Sequence, residues 1–188
     1  MMRIMRYPTG HKEEVRERIV RAASAALRRE GLSGVSIPLL MKRAGLTHGG
    51  FYGYFRDRSE LAAAAVLSAA SDTAQGVFAD GLRLEETLSR YLSDAHLAHP
   101  EQGCVVAALG TEGDRQPLEV RKAFAEAARG LLRLVEKKLH PARRSQVLSD
   151  EALRLTAMMV GAVVLGRLVD DAPLAKRILH AARTSAAA

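Results

Sequence analysis

Residues 36–55, SIPLLMKRAGLTHGGFYGYF, contain two short helical segments separated by a glycine. Ser36 is a good N-cap for the first segment, Pro38 is tolerated in its first turn, and Thr47 can cap the second segment, 48–55. Gly45 suits the turn between them because glycine tolerates a positive φ. The pattern predicts a helix-turn-helix, and five apolar side chains are expected to face inward: Ile37, Leu40, Leu46, Phe51 and Phe55.

The second segment carries hydroxyl, imidazole and aromatic groups on its outward face. In a helix-turn-helix this segment enters the major groove of DNA, where such groups reach base edges, while Tyr hydroxyls and helix-end amides suit phosphate oxygens. The alternative is an ordinary helical hairpin with aromatic residues in its core, which is the interpretation we prefer for Phe51 and Phe55. The candidate DNA contacts read from the residues are Thr47, His48, Gly49, Tyr52 and Tyr54.

The positive charge of the chain is concentrated around this motif. The 188 residues include 28 Lys and Arg against 21 Asp and Glu, a formal net charge of +7. Residues 1–58 hold 12 of the basic and 5 of the acidic side chains, so they account for the whole excess. A basic segment beside a neutral body predicts a polyanion-binding module, with nucleic acid and an anionic membrane surface as candidates. A solvated basic surface without a ligand is the alternative.

Length and composition exclude several other classes of protein. A chain of 188 residues that is 48% hydrophobic can bury a core as one large domain or two small ones. A single cysteine excludes an internal disulfide framework and a multi-Cys zinc site, and it favours a reducing compartment. The best uncharged run, 155–166, is shorter than the roughly 20 residues of a membrane span. The first twelve residues do not resemble a signal peptide. We therefore expect a cytoplasmic globular protein.

Helical spacing of apolar residues recurs along nearly the whole chain, whereas strand signals are weak. We expect an all-α fold of about nine helices, with one helix shared across a boundary near residue 58. A basic arm at Arg3 and Arg6, ahead of the first helix, is a further possibility, although chain ends commonly fray. The predicted helices span about 11–29, 36–43, 48–55, 57–79, 85–99, 103–110, 117–139, 150–169 and 173–186.

Over residues 15–61 the sequence resembles the TetR family of bacterial transcriptional regulators. The resemblance implies a three-helix DNA-binding domain at 1–58 and a helical ligand-binding and dimerisation domain at 59–188. The matching positions are Ile19, Ala22, Ala23, Gly31, Ala44, Gly45, Leu46, Thr47, Gly50, Phe51, Tyr52, Tyr54, Phe55, Asp57, Arg58, Glu60 and Leu61.

The resemblance also assigns roles to single residues of the DNA-binding domain. Tyr52 and Tyr54 correspond to the phosphate and groove contacts of the recognition helix, although position 54 is more often His in the family. Ser36 matches the small hydroxyl residue that opens the second helix, and Gly50 lies within the matched motif. Arg58 stands where the family usually has Lys, and either cation can meet a phosphate.

The neutral body offers few polar and aromatic groups for a ligand pocket. Such groups in an Ala- and Leu-rich lining fit an apolar pocket with a few orienting side chains, but core filling is the preferred interpretation of any single one. The candidate ligand-binding residues are Phe78, Tyr91, His96, Cys104 and Phe124.

Cys104 begins a predicted helix, where the helix dipole favours a thiolate. A redox- or electrophile-sensing role is conceivable, while a small buried apolar side chain is the simpler interpretation. His96, His99 and Cys104 have a spacing that permits a metal, but no further ligand completes the set, so we expect no metal site.

The last two helices are apolar nearly all round, which indicates contacts on more than one side. In the family these helices form a two-fold homodimer, whereas a buried central helix of a monomer is the alternative.

The sequence shows no catalytic motif and implies no cofactor. We therefore expect a dimeric regulator, most simply a repressor, that binds a palindromic operator and is released by a small-molecule inducer, with no membrane partner. A non-specific nucleic-acid or membrane-surface binder, or a Cys104-based sensor, remains the alternative.

Overall fold

The computed structural model of the chain describes residues 10–186. This part of the chain is all-α, as predicted, with nine α-helices, two 3₁₀ helices and no strand. The predicted arm at Arg3 and Arg6 lies outside the described residues. The α-helices are α1 His11–Glu30, α2 Ile37–Arg43, α3 Arg58–Gln75, α4 Leu84–Tyr91, α5 Asp94–Ala98, α6 Val105–Gly113, α7 Leu118–Leu139, α8 Asp150–Leu168 and α9 Ala172–Ser185, and the 3₁₀ helices are His48–Gly53 and Pro100–Gln102.

The helix-turn-helix forms where the sequence predicts it. The Ser36 side chain accepts a hydrogen bond from Leu39 N (3.4 Å) and caps α2, and Gly45 adopts a φ of +73° in the turn. Phe51 and Phe55 are buried and stack with ring centroids 5.7 Å apart. The aromatic pair therefore anchors the second segment to the core.

That second segment is a six-residue 3₁₀ helix, His48–Gly53, rather than the predicted helix through residue 55. Three of its six residues are glycines, and glycine is the weakest helix former after proline. Tyr54 N and Phe55 N both donate to Phe51 O, at 2.9 and 3.1 Å, and close the last turn.

The predicted helix at 85–99 is two helices, because the chain turns at Leu92 and Ser93. The Ser93 hydroxyl donates to Arg90 O (2.8 Å) and accepts from His96 N (3.2 Å), so it closes α4 and caps α5. Helix α3 likewise ends at Gln75, before Gly76, and does not continue to residue 79.

Two apolar clusters form the interior. The first combines residues of α1 and the helix-turn-helix, such as Ile19 and Phe51, with α6 and α7 residues such as Leu109 and Val120. The second lies among α4, α7, α8 and α9 and includes Tyr91 and Met159. The first cluster crosses residue 58 without interruption, and the boundary between two domains stays a prediction.

Within residues 10–186 no helix is both long and apolar enough to cross a bilayer.

Candidate nucleic-acid interface and ligand cavity

The 3₁₀ helix presents one face to solvent and one to the core. Thr47, His48 and Gly49 are exposed, and Tyr52 has 70% of its surface exposed, whereas Phe51 is fully buried. A large aromatic side chain held in water gains no burial energy there. Tyr52 lies on the second segment of the helix-turn-helix, which the sequence predicts to enter the major groove.

The other candidate DNA contacts are half-buried or already hydrogen-bonded within the chain. Tyr54 is half-buried and packs against the first core, and a Cβ at half-buried Gly50 would lie 3.8 Å from Met41. Ser36 is exposed and serves as the α2 cap. Arg58 is half-buried and donates from Nη2 to Leu32 O (2.6 Å), so part of its donor capacity is used within the chain.

Lys42 is exposed in the last turn of α2 and is not among the residues predicted to contact DNA. Its neighbour Arg43 forms an ion pair with Glu30 at 2.7 Å. A lone surface lysine carries no spacing signal, so the sequence does not single out Lys42.

Arg28 connects α1 to the body of the molecule. It is 6% exposed, and its guanidinium donates to Gly103 O (2.7 Å), Ser24 O (3.2 Å) and the Asp72 carboxylate (3.2 Å). Burial lowers the pKa of Arg28, and Asp72 opposes that shift. A buried charge with these partners is costly to separate from them.

Two further contacts, one exposed and one partly buried, join residues on either side of the helix-turn-helix to the body. Arg56 Nη2 donates to both carboxylate oxygens of Glu119, at 3.2 and 3.3 Å, at the start of α7. Leu32 N donates to Glu112 Oε2 (3.0 Å) near the end of α6. Helices α6 and α7 therefore contact residues 32–56, the helix-turn-helix with its flanking residues, which is the predicted DNA-binding segment.

Four of the five predicted ligand-binding residues lie together. The Phe78 and Tyr91 rings are 6.2 Å apart, and the Tyr91 and His96 rings are 4.7 Å apart, each edge to face. Cys104 N donates to His96 Nε2 (3.0 Å). Phe124 is apart from this group: it belongs to the first core and packs against Gly113.

His96 acts in this group as a structural residue. Because Nε2 accepts from Cys104 N, the proton lies on Nδ1, which donates to Tyr91 O (2.7 Å). A Cβ at Gly103 would meet the His96 ring at 2.5 Å, so the close approach requires glycine. Burial lowers the pKa of His96 to about 4, although the Tyr91 hydrogen bond opposes the shift. Both ring nitrogens are therefore occupied by protein atoms.

His99, by contrast, is exposed and pairs with Glu101 at 3.4 Å. Among residues 10–186 no three His, Cys, Asp or Glu side chains are placed to hold a metal ion together.

A cavity of about 490 Å³ lies between α3, α6 and α7. It includes Cys104 but none of the other predicted ligand residues. In the sequence its lining resembles ordinary core, because small and aliphatic residues at helical spacing give no sign of a space between helices. The lining residues are Leu67, Ala70, Ser71, Thr73, Ala74, Cys104, Val105, Val106, Glu126, Ala127, Gly130, Leu131, Arg133, Leu134 and Lys137.

Helix α8 is apolar on two sides. Leu155, Met159 and Val163 are buried against the second core. On the other side large apolar side chains remain exposed, up to 74% for Leu168, and the exposed leucines of α8 and α9 are Leu153, Leu165, Leu168 and Leu174. An apolar patch of this kind is typical of a protein interface.

Two families match the chain in sequence. The family described as "Bacterial regulatory proteins, tetR family" matches residues 19–65, and "Tetracyclin repressor-like, C-terminal domain" matches residues 82–182. No curated protein matches the sequence.

Solved structures of regulators share the fold. A TetR-family transcriptional regulator from Cytophaga hutchinsonii is 21% identical, with a TM-score of 0.72 over 96% of this chain and 97% of that chain. Reduced NemR from E. coli is 20% identical, with a TM-score of 0.70 over 92% and 95%. FadR from Bacillus subtilis, in complex with stearoyl-CoA, is 16% identical, with a TM-score of 0.58 over 89% and 97%.

The low pKa of His96 predicts a loss of stability in mild acid. An unfolded histidine takes up a proton near pH 6.5, whereas folded His96 does so near pH 4. The contribution of neutral His96 to the free energy of unfolding is complete above pH 6.5. It falls by roughly 3 kcal/mol as the pH drops to 4.

Urea unfolding of the wild type and of His96→Gln at several pH values between 7.5 and 4 measures this contribution. Other groups titrate equally in both proteins, so the stability advantage of the wild type should shrink as the pH falls. An advantage that stays constant over this range would contradict a neutral, buried His96.

Proposed function

The chain belongs to the TetR family of bacterial transcriptional regulators, and we propose that it is a homodimeric repressor that binds a palindromic operator and is released by a small molecule. Members of this family are DNA-binding transcription factors rather than enzymes, and they are generally responsive to ligands. Since bacterial DNA lies in the cytoplasm, we place the protein there.

The exposure of Tyr52 is the observation that carries the DNA-binding role of this surface. Tyr52, Thr47 and His48 project from a short helix whose buried face is fixed by Phe51. Gly49 is exposed and has no atom within 4 Å of an added Cβ, so the backbone itself can approach a phosphate closely. The surrounding segment supplies positive charge for the DNA backbone.

The unpaired face of α8 supports homodimer formation. Leu165 and Leu168 are exposed, and Gly161 on the same helix has no atom within 4 Å of an added Cβ. Pairing this face with a second copy would bury these side chains and let the helices cross closely. Two recognition segments related by a two-fold axis would read half-sites about 34–36 Å apart.

The cavity between α3, α6 and α7 supports release by a ligand. Helix α3 begins only five residues after the 3₁₀ helix ends, and α6 and α7 contact the DNA-binding segment through Glu112 and Glu119. A ligand that binds more tightly when these helices are displaced would lower the population of the DNA-binding arrangement.

A sensing role for Cys104 is a second candidate function. Cys104 is 3% exposed at the N-cap of α6, beside the fully buried Tyr91 side chain. Arg28 and Arg167 are its cationic neighbours. A thiol near two guanidinium groups and a buried phenol lies in a more polar environment than an ordinary core cysteine.

Operator binding is expected to be specific and to depend on Tyr52. At physiological salt, affinity for the operator should exceed that for random DNA by at least about 10³-fold, and raising the salt should weaken both. Tyr52→Ala should weaken operator binding about tenfold or more, because a hydrogen bond to DNA is lost.

Fluorescence anisotropy across a salt titration measures both affinities. Leu118→Ala, which truncates an exposed apolar residue on α7, is the matched surface control and should leave operator binding unchanged. Equal affinity for operator and random DNA at every salt concentration would support the non-specific binder instead.

Cys104→Ser distinguishes the two candidate functions. If Cys104 is the sensor, hydrogen peroxide or N-ethylmaleimide should release the wild type from operator DNA and leave the serine variant bound. Equal release of both proteins, measured by anisotropy, would remove Cys104 from the response and leave ligand binding as the trigger.

A further inference from the structure

The cavity between α3, α6 and α7 has an apolar interior whose two hydroxyl groups are already bonded. Thr73 Oγ1 donates to Ala69 O (3.0 Å), and Ser71 Oγ accepts from Gln75 Nε2 (3.0 Å). The remaining inner wall is formed by Ala, Val and Leu side chains and the Cys104 thiol. A ligand therefore places an apolar body inside, and its polar groups belong at the mouth.

Gly130 keeps this cavity open. It lies inside α7, where glycine is less stable than alanine, and its φ is not in the left-handed region. An added Cβ at Gly130 would have no protein atom within 4 Å, so close packing does not require glycine at this position. The position lines the cavity, and what the missing side chain provides is room for a ligand.

The charged residues at the mouth favour an anion. Arg133 and Lys137 both line the cavity. Together with Arg129 they form a series spaced four residues apart on α7, and like charges at this spacing repel each other. Lys137 pairs with Asp80 at 2.9 Å, whereas Arg133 has no ion-pair partner among residues 10–186. Glu126 is the single carboxylate of the lining. It stands three residues before Arg129, a spacing at which opposite charges on a helix attract each other.

We propose that this cavity binds a small molecule with an apolar body and an anionic group, the body lying beside Gly130 and the anion at Arg133 and Lys137. The proposal rests on the proposed function, because it names the ligand class of the regulator. It is independent of how the protein contacts DNA. An anion at Arg133 would also relieve the repulsion along α7.

Two dyes that differ by one sulfonate test the ligand class. The anionic dye is 8-anilinonaphthalene-1-sulfonate and the neutral dye is N-phenyl-1-naphthylamine. Fluorescence titration of the wild type should give a dissociation constant about fivefold lower for the anionic dye. Arg133→Gln should abolish this preference, whereas Arg129→Gln, one turn earlier and outside the cavity lining, should retain it.

Substitutions at Gly130 test the location. Gly130→Leu should weaken the binding of both dyes about tenfold, because the leucine side chain fills the cavity. Gly130→Ala should weaken their binding less and should raise the melting temperature of the protein. Equal affinity of the wild type for the two dyes would overturn the anionic class. Dye binding that is unchanged in folded Gly130→Leu would overturn the site.

Operator binding by the same wild-type preparation separates this proposal from the proposed function. Specific operator binding together with equal dye affinities overturns the ligand class and leaves the regulator intact. Loss of operator specificity with a retained anionic preference contradicts the proposed function alone.

Discussion

Helix α3 packs on α1 with one side and on α7 with another, and the rest of the architecture depends on this double contact. Ala62, Ala63, Ala65 and Ala69 are all buried in α3. Small side chains let both neighbouring helices approach closely, so one apolar core continues from the helix-turn-helix into the body. The direction of the DNA-binding segment is thereby set by a helix that also forms one wall of the cavity between α3, α6 and α7.

Polar contacts complete the connection that α3 begins. Arg28 holds α1 to Gly103 and Asp72, while Glu112 and Glu119 bring α6 and α7 against the DNA-binding segment. The same three helices, α3, α6 and α7, surround the cavity. A ligand that separates them acts on elements that already touch the DNA-binding segment, so the proposed coupling needs no long pathway through the protein.

The sequence predicts those features that depend on local chemistry. The helix-turn-helix, the cap at Ser36 and the turn at Gly45 each follow from a residue type and its neighbours. The 3₁₀ geometry of the recognition segment and the break between α4 and α5 depend on competition between weak local preferences. The grouping of side chains around a cavity depends on packing between distant helices. The sequence therefore shows neither that Phe124 lies apart from the other four predicted ligand residues nor that Gly130 lines the cavity.

The most direct test of the central claim is sequencing of DNA fragments that the purified full-length protein selects from a random library. A homodimer with one recognition segment per subunit should enrich an inverted repeat with its half-sites about one helical turn apart. A selected pool without any enriched sequence would contradict a specific regulator. A single, unrepeated motif would contradict the two-fold dimer.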